Sequence, residues 1–189
     1  MPGMRCWVIS FFLCIFQLVL HIGYASAGTP SETLRRDLHK GGQFSLMPPP
    51  GWTESWNLFG LPYVLVGPES GIRRTVISVV PTGKKTSSDF ERECLANHED
   101  YKSGRLDWLK KMDGVALEFL PVRAESWAGQ TKAFITGVVY QINSEVFYEQ
   151  TFFVSCQYEI YHIKSIIPGN SRNADQSAAS KAIRSFRCG

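Results

Sequence analysis

The chain reads as an α+β protein: a central antiparallel sheet with helices packed on its faces. Three observations carry this expectation. Four strand-like segments, 115–127, 131–143, 145–156 and 158–167, follow one another with no helix between them. Their links are short, and short links join antiparallel neighbours as hairpins. Bulky apolar residues also occupy both alternating sets of several strands. In 145–156 one set holds Phe147 and Phe153, and the other holds Tyr148, Phe152 and Val154. A sheet of that composition needs cover on both faces.

The first segment has the layout of a secretory leader. Arg5 supplies one positive charge, the run 7–20 (WVISFFLCIFQLVL) is apolar, and Ala25-Ser26-Ala27 offers a small-x-small cleavage site. The run is shorter than the ~20 residues of a membrane-spanning helix. A retained anchor is the alternative. A lipidated cysteine fits poorly, because Cys14 follows Phe-Phe-Leu. Cleavage after Ala27 leaves 162 of the 189 residues, enough for one domain with a proper core. Residues 28–42 form a polar arm, or a short helix over 31–39 with Leu34 and Leu38 on one side. The single domain is 43–189. No transmembrane span is expected after cleavage.

A brief strand over 43–47 runs into Pro48-Pro49-Pro50-Gly51-Trp52. Proline fixes φ and removes an amide donor, so the triplet stops the strand and forms a stiff elbow. Gly51 permits the turn, and the Trp52 ring anchors it to the core. A proline-rich recognition segment is the alternative, and three prolines between strands are few for that. Strands follow at 52–59, 61–66 and 72–80, with Gly67-Pro68-Glu69-Ser70-Gly71 as a turn before the last. A long helix then runs over 89–111, capped by Ser87, Ser88 or Asp89. With Ser88 at the cap, Glu91 completes a capping box. Phe90, Cys94, Tyr101, Trp108, Leu109 and Met112 give it an apolar stripe. Ser103-Gly104 predicts a kink or break. After the four-strand meander, Pro168-Gly169-Asn170 stops the last strand. A terminal helix over 173–186 presents Ala174, Ala178, Ala179, Ile183 and Phe186 as a small-residue face.

Charge excludes little but disfavours nucleic acid. The formal charge is +3. Removing Arg5 from the 20 basic residues leaves 19 against 17 acidic ones, about +2. Arg73-Arg74, Lys84-Lys85 and Lys110-Lys111 are isolated pairs, the pattern of solvated turns rather than of a basic groove.

Three cysteines remain after the leader: Cys94, Cys156 and Cys188. An odd number in an oxidising compartment suggests one disulfide and one free thiol. Cys156 ends a strand and Cys188 follows the terminal helix, so a bridge between them would staple helix to sheet. Cys188 could instead pair with another chain, or Cys94 with either partner, although Cys94 lies on the core-facing stripe. The spacings fit no clustered zinc or iron–sulfur site, and no metal or cofactor is expected.

The order of short strands, long helix, meander and terminal helix has two local marks. One is Phe44-Ser45-Leu46-Met47 followed by Pro50-Gly51-Trp52, and the other is a closing Ser185-Phe186. On these the chain resembles the PsbP and Mog1-like group, which includes bacterial domains of the DUF1795 type. The resemblance covers 43–187 and implies an α/β/α sandwich. It implies a mostly non-enzymatic role as accessory subunit, effector chaperone, envelope lipoprotein or protein-binding partner.

No catalytic set is evident. There is no G-x-S-x-G elbow, H-E-x-x-H, P-loop or G-x-G-x-x-G. His39 falls in the arm. His98 stands four residues after Cys94 on one helical face, but nucleophilic catalysis also needs an oriented base and an oxyanion site. Glu91, Glu93, Glu99 and Asp100 read as a solvated face. His162 shares a strand face with Lys164 and could line a surface pocket with Tyr158; an edge or partly buried polar residue is the plainer reading. The expectation is a periplasmic or secreted factor that binds another protein of the envelope or secreted space. The alternatives are a small-ligand binder or unrecognised hydrolase with a pocket near His162 and Tyr158, and a structural protein tethered by a retained leader.

Overall fold

The computed structural model describes residues 44–58, 60–68, 73–85, 89–127, 132–156 and 159–189. The leader, the arm with His39, the capping residues Ser87 and Ser88, and Tyr158 lie outside the described residues.

Nine strands and three α-helices follow in the order β1 (Phe44–Ser45), β2 (Thr53–Leu58), β3 (Leu61–Val66), β4 (Val76–Pro81), α1 (Phe90–Ala96), α2 (His98–Lys111), β5 (Gly114–Ser126), β6 (Lys132–Ile142), β7 (Glu145–Ser155), β8 (Ile160–Pro168), α3 (Arg172–Arg184) and β9 (Arg187–Cys188) among the described residues. The main sheet has the order β2-β3-β4-β8-β7-β6-β5, and every neighbouring pair is antiparallel. The fold is α+β, as the strand pattern predicts. The chain leaves β4 in mid-sheet, crosses through α1 and α2 to the far edge, and returns as the β5–β8 meander to pair with β4. β1 and β9 form a separate two-stranded ribbon.

Both faces of the sheet are covered. On one face Tyr63, Leu65, Ile77, Val79, Ile135, Phe152, Val154 and Ile163 pack with Ala179, Ala182, Ile183 and Phe186 of α3 and its end. Phe44 of the ribbon stacks on Phe186 at 5.5 Å and meets Tyr161 and Tyr63 edge-on. On the other face Phe90 of α1 packs on Phe134 and Ile160.

The proline elbow is a type II turn. Pro50 takes the second position, Gly51 the third with φ +80°, and the Trp52 N–H donates to the Pro49 carbonyl at 3.1 Å. Trp52 then packs against the core. A disulfide joins Cys156 to Cys188, with 5.6 Å between their Cα atoms. It ties β9 beyond α3 to the end of β7, closing a loop whose constraint contributes ~3–4 kcal/mol by chain entropy.

Three expectations need correction. The long helix breaks at Asn97, not at Ser103-Gly104. The Asn97 side chain donates to the Glu93 carbonyl at 2.7 Å and so competes with the helical backbone there. Gly104 has open space around it and stays helical. Asp89, one of the three caps expected, stands at the helix start with no side-chain cap bond. The strand expected from 72 starts at Val76; Thr75 just before it is buried, and its hydroxyl donates to Asp175 at 2.5 Å. Ala174 of the small-residue face is exposed, and Asp175 and Ala182 are buried in its place.

Candidate functional site

The face beneath α2 carries polar residues where a sheet normally carries aliphatic ones. Strand register assembles them. Thr151 of β7 stands opposite Lys164 of β8 and Thr136 of β6, and Lys164 stands opposite Ser78 of β4. Glu149 is one step further along the same face of β7. All five are buried. β6 and β7 approach closely here because residue 137 is glycine: a Cβ there would collide with the Glu149 carbonyl oxygen.

Glu149 is the centre of the cluster. Arg105 of α2 reaches down and places Nη2 2.5 Å from its Oε2. Lys164 Nζ is 3.3 Å from Oε1, and the Tyr101 hydroxyl donates to the same oxygen at 3.4 Å. The Arg105 guanidinium lies over the Trp108 ring at 4.1 Å, and Trp108 meets Tyr140 edge-on. Thr136 donates to the Leu120 carbonyl at 3.2 Å and lies 3.4 Å from His98 Nδ1. His98 stacks on Tyr101.

Charge states follow from burial and neighbours. Burial pushes the Glu149 carboxyl upward, but Lys164 and Arg105 outweigh it and hold it below the usual carboxylate range. Burial brings Lys164 down to about 8, against the pull of Glu149. Burial, aided by Lys164, takes His162 down to about 3. Burial raises Tyr101 and Tyr140 above the ordinary phenol value. Two cations therefore hold one ionised carboxylate, and the neighbouring imidazole is neutral.

The expected site residues separate. Lys164 is inside this cluster, beneath α2 rather than at a surface pocket. His162, on the same face, keeps part of its ring at the surface while its Nε2 is enclosed; the ring stacks on Phe153 at 5.0 Å. β8 lies in mid-sheet, so neither residue is at an edge. Tyr158 is outside the described residues. Cys94 is a half-buried free thiol pushed up to about 12 by burial and by Glu93, which disfavours the nucleophilic thiolate. His98, four residues on, turns to Tyr101 and Thr136. Glu91, Glu93, Glu99 and Asp100 are exposed. Among the described residues, no group of three or more His, Cys, Asp or Glu is placed to hold a metal ion.

Arg105 and Glu149 are absent from the sequence reading. A signal for each exists. Arg105 lies at i+4 from Tyr101 and i−4 from Leu109, in the middle of the helix stripe. Glu149 alternates with Phe147 and Thr151 in a strand of the meander. A charge at such an inward position calls for a buried partner.

Outside, the apolar side chains with most exposure are Met47, Leu95 on α1, Leu106 on α2, and Val115 and Leu117 on β5. β5 is the edge strand against which α2 packs. No helix among the described residues is long and apolar enough to cross a membrane.

No family model matches this chain, and no curated protein matches its sequence. Its fold is shared with solved structures. LpqN of Mycobacterium tuberculosis, a protein involved in cell envelope biogenesis, aligns with a TM-score of 0.52 and 14% identity over 78% of this chain and 84% of that one. The cyanobacterial PsbP protein CyanoP of Synechocystis sp. PCC 6803 aligns with a TM-score of 0.52 and 12% identity over 88% and 98%. These likenesses establish a PsbP-like sandwich fold.

Proposed function

We propose that this chain is a non-enzymatic accessory or assembly factor of the bacterial envelope or secreted space, and that it acts by binding another protein. The observation that carries this reading is where its chemistry lies. Three interior charges, Arg105, Glu149 and Lys164, are consumed in one ion cluster under α2, and Asp175 is held by Thr75, while apolar side chains stand outside: Leu106 on α2, and Val115 and Leu117 on the edge strand beside it. Exposed apolar groups near a free strand edge suit protein contact. The Cys156–Cys188 bridge fits an oxidising compartment, periplasmic or extracellular. The envelope role of LpqN, which has the same fold, supports the reading. On this view the leader is removed after Ala27, and the mature protein is a single PsbP- and Mog1-like domain.

The test is site-specific photo-cross-linking in envelope extract. A cross-linker at position 106 or 117 should give a discrete adduct with another protein. One on the exposed side of α3, at Gln176 or Lys181, should not. Equal yields from both surfaces, or no adduct from either, would overturn the proposal.

A further inference from the structure

We infer that α1 and α2 form a flap, held down chiefly by the Arg105–Glu149 contact, that can lift from the sheet while the rest of the fold stays closed. The inference goes beyond the binding role above and does not depend on it. The two faces of the sheet are held by different means. α3 seats Ala179, Ala182 and Ile183 in the larger apolar core, with Asp175 held by Thr75 at its first turn, and the disulfide follows three residues after Ser185. Across α1 and α2 only Phe90, Arg105 and Leu109 are fully buried. Neither helix has a side-chain cap. The surface beneath α2 includes Ser78, Thr136, Glu149, Thr151 and Lys164, residues that water can solvate, beside Tyr140, which meets Trp108 of the helix.

That composition makes lifting inexpensive. Burying charge has a large desolvation cost, and opening returns it to Arg105, Glu149 and Lys164. The sheet keeps its larger apolar core, which lies on the α3 face. The left-handed Asp113, with φ of 51°, follows the flap and gives a place for it to pivot, and the break at Asn97 lets α1 and α2 change their mutual angle as they lift. The face uncovered carries a carboxylate and an ammonium group side by side, next to the Tyr140 ring.

Native-state hydrogen exchange on the intact chain tests this. Amides of 90–111 should exchange through an opening separate from, and more frequent than, the one that exposes β7, β8 and α3. Arg105→Met leaves the Glu149–Lys164 pair in place, and should speed exchange of 90–111 by roughly a hundredfold while β7, β8 and α3 stay at their wild-type rates. Alkylation of Cys94 on α1 should accelerate in parallel. If 90–111 exchange in step with β7 and β8 in the wild type, the flap does not exist. That measurement decides even if the variant fails to fold. A uniform rise across the chain in Arg105→Met would equally overturn it.

Discussion

His162 shows how burial sets a pH limit on this molecule. Its folded pKa, about 3, lies below the ordinary 6.5. Between those values the unfolded chain binds a proton that the folded chain does not, so stability falls as pH falls from 6.5 toward 3. The span corresponds to at most about 5 kcal/mol, less what water screens at the exposed part of the ring. Glu149 acts in the same direction lower down: its folded pKa is depressed, so its contribution is present above about 4.5 and lost as pH falls through the folded value. Lys164 works on the alkaline side. Its folded pKa of about 8 lies below the ordinary 10.5, so stability should rise from pH 8 toward 10. Urea midpoints between pH 7 and 4 should therefore decline in the wild type. In His162→Phe, which keeps the stack on Phe153, the decline above pH 4.5 should largely vanish. An unchanged slope would show that His162 titrates normally. Sequence placed Lys164 on the right face but at the surface. Depth in a sheet depends on strand order, and β4 pairing with β8 from across the helical crossover is not written in any local pattern. The Arg105–Glu149 contact spans 44 residues for the same reason.

Among the elements, the β6–β7 hairpin is legible in sequence and still open to improvement. Asn143-Ser144 joins the strands with φ of 50° and 68°, a type I′ turn, and Ile142 pairs with Glu145 across it. Asparagine tolerates the left-handed region, but serine has a Cβ penalty there. Ser144→Gly should raise stability by about 0.5–1 kcal/mol, measured by denaturant unfolding, with the fold unchanged. A loss of stability would mean that the turn has another form in solution. The meander was legible because two-residue turns and β-branched runs are local signals. Helix α1–α2 was only partly legible. Its existence follows from the stripe through Phe90, Tyr101 and Leu109, but its break follows from one side chain, Asn97, choosing a backbone partner. Ser103-Gly104 carries the stronger compositional mark and has no such contact. The small-residue face of α3 differs from expectation chiefly by one residue in its first turn, where Asp175 is drawn inward by Thr75, a partner 100 residues away.

At the scale of the molecule, one sheet is held by two unlike layers: an apolar, disulfide-tied layer under α3 and an ionic layer under α2. The sandwich class could be read from bulky residues on both strand faces. The difference between the layers shows in sequence only at Glu149, whose charge alternates with Phe147, because Thr136, Thr151 and Lys164 each look like an ordinary outward strand residue until the helix is placed over them. If the ion cluster serves structure and the outer surface serves recognition, the two can be separated by substitution. Replacing a satisfied buried ion cluster by apolar groups of similar size is often neutral or stabilising. The most direct measurement is the photo-cross-linking yield from position 117 in two folded variants. Arg105→Met/Glu149→Leu/Lys164→Met should cross-link as the wild type does, and Leu106→Glu should lose the adduct. Loss of the adduct in the apolar triple variant, with Leu106→Glu unaffected, would place the working chemistry inside the molecule and contradict the division drawn here.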